Sequence, residues 1–383
     1  MKVNQIQYID NQWKTGLSPN EFDPQKAQLV FVFGDPFLVT QPALFSHIRD
    51  LFPCAAIVSS STAGEIIHEN VYDNSLVVTA IQFEKTRTCC CVTNIKEHGC
   101  SYETGKYLMK KLLAEGADDL SAVFIISDGT YVNGTELVSG FSENNPKCVP
   151  VTGGLAGDGA RFTRTFTGLD QVPEEGNVAV VGFYGNSLRI GHGSFGGWDE
   201  FGPERTITRS DKNILYEIDD KNALDLYKEY LGPYKDELPG SALLFPLSLR
   251  EPGSAEHLVR TILSINEAER SMLFAGNLPQ GSKVRLMKAS FDRLIEGAST
   301  AAKNAFQSLG NRAPDLAMLI SCVGRKLILH ERTDEEVQAV KQIFGDHTPL
   351  AGFYSYGEIS PFRRDTFSEL HNQTMTITTF SES

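Results

Sequence analysis

Short apolar runs alternate along this chain with stretches of helical spacing. Leu29-Val-Phe-Val-Phe33 predicts a buried strand, and Pro42–Phe52 then sets Leu44, Ile48 and Leu51/Phe52 on one helical face. Ala55–Val58 predicts a second strand. Leu76–Phe83 and Cys89–Ile95 predict a paired hairpin, and Thr104–Glu115 a helix striped by Tyr107, Leu108, Leu112 and Leu113. Ala122–Ile126 predicts another buried strand. Strands are expected at Phe162–Gly168, Val178–Tyr184 and Leu188–Gly193 in an antiparallel region, with a break at Trp198–Pro203. A strand or hairpin is expected over Asp211–Asp219, helices over Ala223–Leu231, Phe291–Leu309 and Glu335–Phe344, and a closing strand over His371–Phe380.

One unit recurs: strand, helix, strand, then small residues closing on glycine and an acid. Copy one runs from Leu29 to Glu65, copy two from Ala122 to Asp158, copy three from Leu316 to Glu358. Val30 to Glu65 and Val123 to Asp158 each span 35 positions, and Met318 to Glu358 spans 40. Units of that length favour parallel pairing of their two strands. The fold class is therefore α/β, with mixed β-sheets, flanking helices, repeated β-α-β units and two domains, 1–208 and 209–383.

Composition narrows the function classes. The 383 residues carry 35 Lys and Arg against 48 Asp and Glu, a net charge of −13. No basic block is present, which argues against sequence-independent binding to nucleic acid or anionic lipid. No apolar run approaches the roughly 18 residues needed to cross a bilayer, and no secretory signal core is visible, so the expected location is cytoplasmic. The seven cysteines lack metal or haem-attachment spacing and read as reduced, mostly buried thiols.

The bends ending Gly64-Glu65, Gly157-Asp158 and Gly357-Glu358 are the first candidate site. Glycine lets backbone approach a ligand, and ligands of open α/β sheets sit beyond the carboxyl ends of the strands. Glu65, Asp158 and Glu358 would supply charge to a zwitterionic or amine-bearing molecule, with Thr62, Arg161, Tyr354 and Tyr356 nearby. The alternative is that these are tight turns whose acids cap the next segment. Gly191–Trp198 contains G-x-G-x-x-G, but no helix follows, and a glycine-rich strand approaching another backbone is the better reading. No P-loop, H-E-x-x-H or G-x-S-x-G is present; a hydrolase using Ser61 or Ser355 is the remaining enzyme reading. Haem b needs one axial imidazole in an apolar pocket, which keeps His68, His192 and His347 as candidates. His98, His257, His330 and His371 read as surface positions.

Ser61-Thr-Ala-Gly-Glu-Ile66, Gly153-Gly-Leu-Ala-Gly-Asp158, the run Gly197-Trp198, Gly202-Pro203 and Thr206–Thr208, and Ile218–Tyr227 resemble the N-terminal part of FIST sensory proteins. Ser321-Cys-Val-Gly-Arg325 and Gly352–Pro361 resemble the C-terminal FIST part. The resemblance covers about residues 25 to 380. It implies a sensory, small-molecule-binding protein rather than an enzyme, with an amino-acid-like ligand, or with haem and nitric oxide as in some stand-alone relatives. It also implies output through a separate histidine kinase or cyclic-di-GMP enzyme (diguanylate cyclase or phosphodiesterase), since the expectation is that no such segment remains in the chain. Where many relatives carry Gly-Cys-Ser-Thr, this chain has Ser59-Ser60-Ser61-Thr62, so no thiol is expected at that bend.

Overall fold

The computed structural model describes residues 1–17, 21–145, 147–238, 240–363 and 365–383. Its frame is a mixed α/β body of three six-stranded sheets, one for each sequence repeat. In the first unit Leu29–Gly34 pairs in parallel with Ala56–Ser61, joined by the helix Pro42–Leu51. In the second, Leu120–Ser127 pairs in parallel with Val151–Leu155 across the helix Gly134–Glu143. In the third, Leu316–Cys322 pairs in parallel with Leu350–Ser355 across the helix Thr333–Phe344. Each first strand also takes an antiparallel partner on its other side: Leu76–Gln82, Asn177–Tyr184 and Met375–Glu382 in turn. Those partners are flanked by Lys2–Ile9, Arg87–Asn94 and Leu188–Phe195.

The second strand of each parallel pair would end as an exposed edge, with a row of unpaired N–H and C=O groups. A strand from another unit covers it every time. Glu65–Ile67 leaves the first unit to pair with Leu350–Ser355 of the third. Gly357–Pro361 leaves the third to pair with Val151–Leu155 of the second, and Thr167–Leu169 leaves the second to pair with Ala56–Ser61 of the first. The exchange is cyclic, so the units form a three-sided prism.

The inner faces of the three sheets share one core. Phe31 meets Phe124 at 5.2 Å between ring centroids, Phe33 meets Phe353 at 4.6 Å, and Phe380 meets Phe183 at 5.5 Å. Helices cover the outer faces: Pro42–Leu51 on the first sheet, Ser101–Gly116 and Gly134–Glu143 on the second, Phe291–Ser308 and Thr333–Phe344 on the third. The glycine-rich strand Leu188–Phe195 does approach another backbone: a Cβ on Gly193 would stand 2.3 Å from the Ala301 carbonyl of helix Phe291–Ser308. That helix presents Ala298, Ala301, Ala302 and Ala305 to the contact.

Between Leu188–Phe195 and Phe291–Ser308 the chain builds a separate β-layer with its own core. Its eight strands fall within residues 199–288, and Ala223–Leu231 packs on them as a helix. This insert is tied to the body largely by polar contacts. Asn133 Nδ2 donates to Asn277 Oδ1 at 2.9 Å, Arg260 Nη1 donates to the Leu370 carbonyl at 3.0 Å, and Lys212 pairs with Glu136 at 2.9 Å.

Several expected elements differ. Leu76–Gln82 and Arg87–Asn94 do not form a hairpin; they join different sheets, because each completes the antiparallel side of its own unit. Phe162–Gly168 is strand only from Thr167, since the preceding residues wrap around Asp158. Trp198–Pro203 does not end the strand region: Asp199–Asp211 runs through it with a register shift after Phe201, where Gly202 takes φ +75°. The closing strand begins at Met375, and His371 ends a separate strand of the second sheet. His371 is not a surface residue; it is buried, its Nε2 lies 3.0 Å from the Ser360 carbonyl, and burial pushes its imidazole down to about 4. No helix among the described residues is long and apolar enough to cross a membrane.

Phe124 stands where the three sheets meet, so Phe124→Ala is expected to cost about 3–5 kcal/mol in urea unfolding. Phe37, 74% exposed, is the control: Phe37→Ala is expected to stay within about 0.5 kcal/mol of the parent.

Candidate functional site

The three acid-tipped bends meet at one end of the prism. Ala63 N–H donates to the Tyr354 carbonyl at 2.8 Å, Tyr356 N–H to the Leu155 carbonyl at 3.2 Å, and Gly157 N–H to the Ser61 carbonyl at 3.1 Å. These bonds run first unit to third, third to second and second to first, closing the same cycle as the strand exchange. Gly64, at φ +137°, lets the first bend make this approach; a Cβ there would lie 2.4 Å from Lys326 Nζ.

The acids themselves point into protein. Glu65 is buried and accepts from Ser75 Oγ at 2.7 Å and from the Thr62 hydroxyl. Glu358 is buried and accepts from Ser355 Oγ at 2.7 Å and from Thr374 Oγ1 at 2.9 Å. Burial dominates over these hydroxyl donors and pushes both carboxyls up to about 8. Asp158 differs. Burial would raise its carboxyl, but the summed hydrogen bonds hold it below the ordinary value. Its oxygens accept from the Phe162, Thr163 and Arg164 amides at 2.8 to 3.0 Å, from the Thr163 hydroxyl, and from the Tyr356 phenol. The loop after Gly157 is thus folded around one carboxylate, and the same carboxylate fixes the Tyr356 ring.

Tyr354 is fully buried and donates to Glu336, which also takes Ser321 and pairs with Arg325 at 2.8 Å; both ends of that ion pair are inaccessible to solvent. Arg161 is exposed, 3.7 Å from Asp35, over a shallow surface depression. The histidines stand apart. His68 is half-buried in the turn after Glu65–Ile67, and burial lowers its imidazole. His192 is buried beside a polar cavity of about 290 Å³ that also takes Lys147 and Asp365. His347 is exposed. None of the three lines the cleft between the insert and the body, and the cavity beside His192 is too polar to fit the apolar pocket that haem needs.

The hollow lies where the insert leans on the second and third units. An inner lobe of about 310 Å³ is lined by Leu243, Thr261, Ile262, Cys322, Leu327 and Asn372, among others. An outer lobe of about 610 Å³ is lined by Tyr131, Asn133, Asn213 and Leu273, among others. Phe162, Leu263, Ala275 and Tyr356 line both. Phe162 and Tyr356 stack at 4.6 Å, so the ring held by Asp158 forms part of the wall. Of the candidates read from the sequence, only Tyr356 reaches this cleft. The residues supplied by the insert carry no motif. Tyr131, an aromatic just beyond the buried strand Leu120–Ser127, is the one signal in the sequence that points here.

The raised carboxyls fix a pH dependence. Between the ordinary value of 4.5 and about 8, folded Glu65 keeps a proton that the unfolded chain has released. Stability therefore falls as pH rises through that window, by up to about 1.4 kcal/mol per pH unit for such a group. Glu65→Gln keeps the shape and the hydroxyl partners without the charge. Its urea midpoint is expected to fall less than the parent's between pH 5 and 8 and to exceed it at pH 8; equal slopes would contradict the assignment.

Comparison with known proteins supplies the family. The chain is similar across 98% of its length, and 98% of the other, to a crystal structure of chorismatase, at 8% identity and TM-score 0.35. It is similar across 94% of its length, and 91% of the other, to a cyanuric acid hydrolase from A. caulinodans, at 7% identity and TM-score 0.37. No curated protein matches it in sequence. The FIST N domain family matches residues 28–221 and the FIST C domain family residues 223–361. FIST domains are sensory domains that bind small ligands, and this chain belongs to the FIST family.

Proposed function

We propose that this protein is a sensor that takes its small ligand in the two-lobed cleft between the insert and the body. One observation carries the reading. Of the large hydrophobic side chains left exposed, Tyr131, Phe162, Leu263 and Leu273 gather at this cleft, with exposures from 36% to 55%. Apolar surface gathered around a concavity of this size is the usual form of a small-molecule site. The insert meets the body through hydrogen bonds, the ion pairs Lys212–Glu136, Arg363–Glu256 and Arg293–Asp199, and the packing of Phe362 on the insert's core, the type of mixed interface that permits relative motion. A ligand touching both sides would favour one placement of the insert over another, and so change the surface shown to a separate signalling protein such as a histidine kinase or a cyclic-di-GMP enzyme. It can do so only through different affinity for the two placements.

Geometry favours binding over turnover. Ser61 and Ser355 are fully buried; Ser61 Oγ accepts from the Phe166 amide at 2.9 Å and Ser355 Oγ donates to Glu358. In the insert, Ser248 and Glu200 both meet His257 at Nδ1, at 3.1 and 3.0 Å. A catalytic triad needs the acid on one ring nitrogen and the serine on the other.

Ala275→Trp fills the wall common to both lobes. Small molecules extracted from the purified parent protein are identified by mass spectrometry and added back in a thermal-shift titration. The parent is expected to gain stability with concentration, about 2.7 kcal/mol at one hundred times the dissociation constant, and Ala275→Trp none. An equal shift in the variant would contradict the cleft as the site.

A further inference from the structure

Among the described residues lining the two lobes there is no Asp, Glu, Lys, Arg or His. The polar side chains that do line them are mostly committed to the protein. Asn133 donates to Asn277 and accepts from the Glu136 amide. Asn213 donates to the Phe274 carbonyl, and the Thr130 and Thr163 hydroxyls serve Asp128 and Asp158. Behind the inner lobe, Thr261 Oγ1 and Asn372 Oδ1 have no hydrogen-bond partner and are closed to solvent.

From this we infer that the ligand is a neutral molecule with an apolar, ring-sized end for the inner lobe, rather than a free amino acid or another ion. The inference rests on the cleft being the ligand site. A carboxylate or ammonium would lose its hydration and find no opposite charge in either lobe. The charged groups behind the wall are enclosed: Arg260 is fully buried, and its guanidinium donates to the Asn277 and Leu370 carbonyls. Glu358 is itself held mostly protonated at neutral pH by its burial, and Asp158 already has its donors. The three acids at the bends therefore hold the fold together, and the cleft selects for the absence of charge.

Three compounds with the same ring and chain separate these cases: phenylacetamide, phenylacetate and phenethylamine, neutral, anionic and cationic at pH 7. Titration against the full-length protein, followed by thermal shift and calorimetry, is expected to show phenylacetamide binding at least tenfold more tightly than either ion. Leu263 is 39% exposed, so Leu263→Glu is expected to fold normally and to move the preference to phenethylamine. An ion binding the parent as tightly as the amide, with binding lost in Ala275→Trp, would overturn the inference and leave the cleft reading standing. Binding of any of the three that persists in Ala275→Trp would overturn the cleft reading. Absence of binding by all three at millimolar concentration would overturn the inference as well.

Discussion

The structure depends on the pairing of strand edges between units. Each parallel β-α-β unit leaves the outer edge of its second strand open, and an open edge inside a compact body leaves peptide groups without partners. This chain meets the requirement by exchange. A short strand from each unit completes the sheet of another, and three bend-to-bend hydrogen bonds seal the cycle. No unit can be removed without exposing an edge of another and opening the shared aromatic core.

The carboxyl groups taken inside by this closure are each held by hydroxyl, amide or guanidinium donors. The Arg325–Glu336 pair is solvent-inaccessible, and its guanidinium also donates to the Leu294 and Gly196 carbonyls, so it ties the third unit's helices to the strand end that leads into the insert. A pair of this kind is costly to break rather than strongly stabilising as a whole. Asp158 acts in the same way for the loop that carries Phe162 and, through the phenol, for Tyr356. The binding wall is thus positioned by groups that belong to the fold. The insert, joined to the body largely by polar contacts, leaves the cleft where docking is incomplete.

The repeat was legible in the sequence because each unit announces itself by a fully buried five-residue run and a glycine-acid bend at matching distances. The glycines at 191 and 193 were legible as backbone approach because no helix follows them to hold a phosphate. The exchange was not legible. Strands such as Glu65–Ile67 and Thr167–Leu169 are three residues long, too short for periodicity to show, and their partners lie far away in sequence. The same bends that mark the repeat drew attention to Glu65 and Glu358 as ligand contacts. Their surroundings, hydroxyls and apolar side chains, exist only after the exchange has buried them. The cleft was hidden for a related reason: its residues come from the insert and from two units, and none of these stretches carries chemistry by itself.

Native-state hydrogen exchange of the unliganded protein tests the closed cycle most directly. The amides of Ala63, Gly157 and Tyr356 are expected to exchange only through global unfolding, with the same free energy as amides in Leu29–Gly34, Leu120–Ser127 and Leu316–Cys322. Opening of one unit's bend and strands at a free energy well below the others would contradict it.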